Sequence, residues 1–108
     1  MYGYVSGTGH IPFGYDVANG KLVVNDNESK LVRWIFQQRK AGASLRKIAK
    51  ALNDDRILTK RGGKWSAATI KYVLGNELYT GRVNYNSEVA KGSHVPIIIR
   101  ILFNKVQL

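Results

Sequence analysis

Cysteine is absent from this 108-residue chain. No disulfide framework can staple it and no thiolate-ligated zinc site can form, so zinc fingers are excluded and a reducing, intracellular setting is the simplest expectation. Histidine is scarce too: His10 and His94 stand apart in loop-like stretches with no acidic cluster beside them, a poor basis for a metal site. Long apolar runs are missing. Runs such as Pro96 to Ile99 are far short of the roughly 20 residues that cross a bilayer. Met1 to His10 has neither the basic start nor the apolar stretch of a secretory leader, so no membrane or secretory role is expected. The last shortage is of acid: 7 Asp and Glu face 17 Lys and Arg, leaving a net charge of +10.

That charge is concentrated. Residues 1–29 sum to −2 and residues 83–108 to +2, so the segment from Lys30 to Arg82, with 13 basic residues against Asp54, Asp55 and Glu77, carries the whole +10. Such a field favours polyphosphate, because each phosphate contact releases condensed counterions. Charge alone does not separate this from a solvated basic surface. The length and a 44% hydrophobic content suit one modest core.

Along the chain, glycines at 3, 7, 9 and 14 make residues 1–14 an arm or linker, followed by one domain over 15–108. Tyr15–Ala18 and Lys21–Val24 flank Asn19-Gly20, a pair suited to a type I′ turn, and predict a β-hairpin. Asp26 is the expected N-cap of a first helix with Leu31, Val32, Ile35 and Phe36 inward and Gly42 as its stop. Ser44 caps a second helix in which Leu45, Ile48, Ala49 and Leu52 form one stripe, leaving Arg46, Lys47 and Lys50 outward. Ile57 to Lys64 around Gly62-Gly63 suggests a small β-ribbon. Ser66 caps a third helix with Ile70, Val73 and Leu74 inward, and Trp65 and Ile70 have the spacing of a hydrophobic staple. Gly75-Asn76 ends it. Arg82 to Asn86 is a possible strand, Asn86 to Val95 a polar loop, and Ile97 to Val106 is open between helix and strand. The fold class is mainly α with small β-hairpins: a helix-turn-helix-like three-helix core with a β-ribbon between the second and third helices.

A helix-turn-helix places its second helix in the major groove, which makes the helix from Ser66 the candidate reader and the one from Ser44 its support. The free N–H groups and positive dipole at Ser66 suit a phosphate; Ala68 permits close approach; Thr69, Lys71 and Tyr72 lie on or near the outward face. Lys60, Arg61 and Lys64 around Gly62 and Gly63 have the make-up of a wing tip that adds sequence-independent affinity. Ser44, Arg46 and Lys47 complete the candidate DNA-binding set. Each feature also has a plainer structural reading: an amphipathic helix, a soluble hairpin tip, a basic surface. Catalysis has no such candidates. Every serine has a cap, turn or loop explanation, the glycines fit neither a dinucleotide nor a phosphate-loop pattern, and no cofactor is implied.

The ordered series His10-Ile-Pro-Phe-Gly-Tyr15, Leu22, Glu28, Val32, Ile35-Phe36, Gly42-Ala-Ser-Leu45, Ile48-Ala49, Leu52-Asn53, Ile57-Leu-Thr59, Gly63-Lys-Trp65-Ser66, Ile70, Val73-Leu74 and Tyr79-Thr-Gly81 resembles the recombinase domain of large serine recombinases. The resemblance spans about His10 to Gln107. It implies part of a phage integrase, transposon or cassette-chromosome recombinase that binds double-stranded DNA at attachment sites as a dimer and joins two sites in a tetramer. The serine nucleophile of that family lies in a separate N-terminal catalytic domain, and a zinc ribbon and coiled coil usually follow. A cytoplasmic, bacterial or phage-encoded protein is implied. The resemblance also sets residues 2–10 near the minor groove. One departure stands out: Ile99-Arg100-Ile101-Leu102 replaces the acidic or small capping residue that usually precedes the final helix. A free-standing transcription regulator and a general basic or RNA-binding module are the alternative readings.

Overall fold

The computed structural model describes residues 11–85, 88–91 and 94–107. Strands β1 (Tyr15–Ala18) and β2 (Lys21–Val24) pair antiparallel, Tyr15 opposite Val24. Asn19 and Gly20 both take positive φ (53° and 76°), the geometry that a type I′ turn demands and that this pair tolerates. Helix α1 (Asp26–Lys40) follows, then α2 (Leu45–Asp54), α3 (Ala67–Leu74), a 3₁₀ turn (Glu77–Thr80), a second antiparallel hairpin of β3 (Arg82–Tyr85) and β4 (Glu88–Lys91), and α4 (Arg100–Lys105). Helix α1 packs against α2, α3 and α4, and α2 against α3.

The stripes read from the sequence are the faces that meet. Val32, Ile35 and Phe36 of α1, Ile48, Ala49 and Leu52 of α2, and Ile70, Val73 and Leu74 of α3 are all buried in one core with Phe103 and Val106. Each such aliphatic side chain contributes about 1.5–3 kcal/mol on burial. Two tyrosines fasten the outer segments to this core. The Tyr79 hydroxyl donates to the Phe13 carbonyl, and the Tyr79 carbonyl accepts from the N–H groups of both Ile97 and Ile98 at 2.9 Å. The Tyr15 hydroxyl donates to the Val95 carbonyl, and its ring lies nearly parallel to that of Tyr79, 6.2 Å away. Burial raises both phenol pKa values above the ordinary tyrosine range, so both stay protonated donors.

Three expectations need correcting, and one open reading is decided. The N-cap of α1 is Asn25, not Asp26: Asn25 has the extended backbone of a cap and its Oδ1 accepts from the Glu28 N–H at 3.0 Å, while Asp26 lies in the first turn, where its charge suits the helix dipole. The β-ribbon between α2 and α3 is a loop, because the backbone N–H and C=O of Trp65 are taken by the Asn53 side chain and not by an opposing strand. Its hairpin character is confined to the tip, where Thr59 N–H reaches Gly63 O and Gly62 N–H reaches Thr59 O. The polar stretch after β3 contains β4; four residues are too short to announce a strand by alternation, and pairing with β3 defines it. The terminal segment, open between helix and strand in the sequence, is a helix, α4, and Ile99 at its N-cap makes no side-chain capping bond. Of the arm, residues 1–10 lie outside the described residues, and Phe13 and Gly14 are packed into the core.

Gly14 shows how tight that packing is. Its φ is +105°, and a Cβ there would stand 2.9 Å from Ile97 Cδ1 and 3.0 Å from Val32 Cγ2, both on buried residues. Gly14→Ala is therefore expected to destabilise the fold by roughly 2–4 kcal/mol, adding left-handed backbone strain to overpacking, as read from the midpoint of urea unfolding.

Candidate nucleic-acid interface

The start of α3 is fixed from three sides. Ser66 caps it, its Oγ accepting from the Thr69 N–H at 3.2 Å and lying 3.0 Å from Thr69 Oγ1. One residue earlier, Asn53 at the end of α2 grips the Trp65 backbone twice: Nδ2 donates to the carbonyl at 2.9 Å and Oδ1 accepts from the N–H at 2.8 Å. The Trp65 ring is buried edge-on against Phe13, centroids 5.0 Å apart. The angle at which α3 leaves the core is thus set by hydrogen bonds to α2 and by an aromatic contact to the segment before β1. On its outer side Ala68, Lys71 and Tyr72 are exposed, Tyr72 to 70%, and Thr69 is half-buried.

Lys60 in the loop is held by two carboxylates. Its ammonium lies 2.7 Å from Glu28 Oε1 and 2.9 Å from Asp16 Oδ1. The same Glu28 oxygen accepts from the Gly14 N–H at 2.9 Å, and Asn25 Nδ2 donates to Asp16. Burial pulls the Lys60 pKa down, but the hydrogen bonds to Glu28 and Asp16 outweigh it and hold the group above the usual lysine range. The hydrogen bond from Lys60 holds the Asp16 carboxyl below the usual carboxylate range. The Lys60 and Glu28 side chains are each only 22% exposed, so this pair is screened far less than Lys50–Asp54 at 74% and 62%, a surface pair of the kind worth about 0.3–0.5 kcal/mol.

The sequence-derived set divides between two places. Lys60, Arg61, Lys64, Thr69 and Tyr72 line one groove of about 590 Å³ together with Trp65 and with Ile11, Pro12 and Phe13 from the segment before β1. Ser66, Ala68 and Lys71 sit on α3 beside it, and Gly62 and Gly63 are exposed at the loop tip. Ser44, Arg46 and Lys47 are exposed on α2 and are not part of that groove; Ser44 Oγ caps α2 through the Lys47 N–H, and Lys47 lines a smaller groove beside Trp34 and Gln38. No group of three or more His, Asp or Glu side chains capable of holding a metal occurs among the described residues, and no described helix is long and apolar enough to cross a membrane.

The Recombinase family model matches residues 26–108. This chain belongs to that family. The recombinase domain superposes with a TM-score of 0.72 on a crystal structure described as an LSR–DNA complex, LSR denoting large serine recombinase, at 33% identity over 94% of this chain and 31% of the other. A second structure, from work on the sequence requirements of the Listeria innocua prophage attP site, gives 0.73 at 32% identity over 87% of this chain and 39% of the other. An uncharacterised immunity region protein of Bacillus phage phi105 is 32% identical over 68 residues, 63% of this chain and 51% of that protein. The chain therefore spans about half or less of the length of these relatives.

Within the recombinase domain, the residues that sequence reasoning missed are Asn53, Glu28 and Asp16, together with the groove wall at Ile11 to Phe13. Asn53 and Glu28 both stand in the family-like series, but nothing near them in sequence reveals a partner 12 or 32 positions away.

Two outcomes test this construction. Asn53→Ala leaves both the N–H and the carbonyl of Trp65 without their partner, at about 1–3 kcal/mol for each group left unsatisfied, and thermal unfolding should report a loss of that order while Asn53→Asp recovers part of it. Asp16 and Lys60 make stability pH-dependent at both extremes. The lowered Asp16 pKa contributes stability above the unfolded carboxyl value near pH 3.9, lost as pH falls through the folded one. The raised Lys60 pKa contributes below the unfolded lysine value near pH 10.4, lost as pH rises through the folded one. Melting curves of Asp16→Asn should show a shallower acid-side fall than the wild type.

Proposed function

We propose that this chain is a double-stranded-DNA-binding domain of a large serine site-specific recombinase, with α3 lying in the major groove of an attachment site. The observation that carries this reading is the outer face of α3: a rigidly anchored short helix that offers Ala68, Lys71 and Tyr72 to solvent, with Thr69 half-buried beside them, in the segment that holds the whole net charge. Small side chains at the helix start let it approach base edges and a thymine methyl, and Lys71 suits guanine acceptors. Cations of the loop and of α2 supply phosphate contacts that hold register without reading sequence. The kinship to an LSR–DNA complex and to a structure concerned with an attP site supports the same partner.

Strand cleavage belongs, on this reading, to a catalytic serine domain elsewhere in the parent recombinase, which works as a dimer on each site and a tetramer in synapsis. The parent is cytoplasmic and encoded by a bacterium or phage. The domain itself needs no cofactor.

Selection from a random duplex library, with single-stranded RNA as competitor, tests this directly. An enriched motif is expected, and Lys71→Ala or Thr69→Ala should change that motif, whereas Lys64→Ala should weaken all duplexes and reduce the salt dependence by about one phosphate contact. Preferential capture by RNA, or equal losses on every sequence for all three variants, would sink the assignment of α3 as the reading helix.

A further inference from the structure

The groove beside α3 has a chemistry of its own. Among the described residues its lining includes three cations, Lys60, Arg61 and Lys64, two threonines and no carboxylate. Asn76 is the other polar residue, and the rest is apolar or aromatic, including Trp65, Tyr72 of α3, and Ile11 to Phe13 from the segment before β1. Its volume of about 590 Å³ is in the range of roughly 300–1,000 Å³ that takes a ligand-sized group and not a lone ion. Cations beside apolar and aromatic side chains match a polymer that alternates anionic phosphates with apolar deoxyribose rings.

The two walls are joined at one atom. Glu28 Oε1 accepts from the Gly14 N–H, directly after the Ile11–Phe13 wall, and from Lys60 of the loop wall. Lys60 is thereby tied inward, with Asp16 as its second partner, while Lys64 is exposed. We propose that this groove seats the sugar–phosphate backbone of one DNA strand beside α3, and that Glu28, gripping both walls, is a positioning residue that fixes its width through Lys60. Lys64 is the phosphate contact in this arrangement and Lys60 is a strut. Seating a strand here rests on the duplex-binding reading above.

The chain has no cysteine, so a single introduced thiol can carry a photocrosslinker at one place. Ile11→Cys puts it on the wall away from α3 and Tyr72→Cys puts it on α3. Both labelled proteins, incubated with a duplex, are expected to crosslink to DNA. Duplex affinity is then measured over a range of salt for variants whose circular dichroism and melting show them folded. Lys64→Ala should lower the slope of log affinity against log salt by about 0.9. Glu28→Gln keeps an acceptor for Gly14 but removes the charge facing Lys60. It and Lys60→Gln should each weaken binding at an unchanged slope, and the double variant should be no weaker than the worse single one.

Crosslinks from Tyr72→Cys without any from Ile11→Cys would place the duplex on α3 alone and overturn the seat. Capture of a second protein copy by Ile11→Cys would make the groove a self-association surface instead. A slope lowered by Lys60→Gln as much as by Lys64→Ala would make Lys60 a phosphate contact, and wild-type affinity in Glu28→Gln would remove its positioning role. A wild-type chain that binds no duplex would sink the duplex-binding reading itself, before any variant is compared.

Discussion

Tyr79 is the point at which the segments before α1 and after β4 are tied into one core. Its hydroxyl holds the Phe13 carbonyl, its own carbonyl holds two consecutive N–H groups at Ile97 and Ile98, and its ring meets Tyr15 and Phe36. A three-helix core of this size buries little surface and is marginal by itself. The hydrogen bonds of one fully buried tyrosine bring in further apolar area, from Phe13, Ile97 and Ile98, that helix packing alone does not reach. The aromatic part of what positions α3 follows from this, because Phe13, once fixed, is the surface against which Trp65 turns its ring.

The basic surface is not uniform. Lys60 sits among carboxylates in a shielded site, Arg100 lies 2.7 Å from Glu77 Oε1 in an ionic contact that is not an aligned hydrogen bond, and Lys50 meets Asp54 in solvent. Counting cations along the chain thus mixes two populations: those that hold the loop and helices in place, and exposed ones such as Lys64 and Lys71. Only the second contributes to counterion release on binding a polyanion, so the salt dependence of this domain should be smaller than its formal charge implies.

Much of the fold was legible because it is local. The periodic stripes of α1 to α3, the Ser44 and Ser66 caps, and Asn19-Gly20 are each specified within a few residues by side-chain spacing, capping chemistry or the tolerance of positive φ. What was not legible depends on partners far away in sequence. Ile57 to Trp65 has the composition of a ribbon, but Asn53 takes the backbone groups a ribbon would pair. Asn25 and Asp26 are both good caps, and the backbone of the preceding strand decides between them. Lys60 looks like any loop lysine until Asp16, 44 residues earlier, and Glu28, 32 residues earlier, fold against it. The candidate site was legible in kind, as a basic loop leading into a short capped helix, while its groove was not, since its far wall comes from a segment that reads as linker.

The uncapped start of α4 gives the fold an uneven resistance to opening. Six residues long, with Ile99 in place of a hydrogen-bonding cap and with Ile99 and Ile101 each about two-thirds exposed, α4 has little local reason to stay helical in isolation. Phe103 and Val106 hold it to α1, and the Gln107 amide reaches the Leu74 carbonyl of α3. Amide protons of α4 therefore belong to the set that exchanges with solvent through small local excursions, while those of α1 exchange only when the core as a whole comes apart.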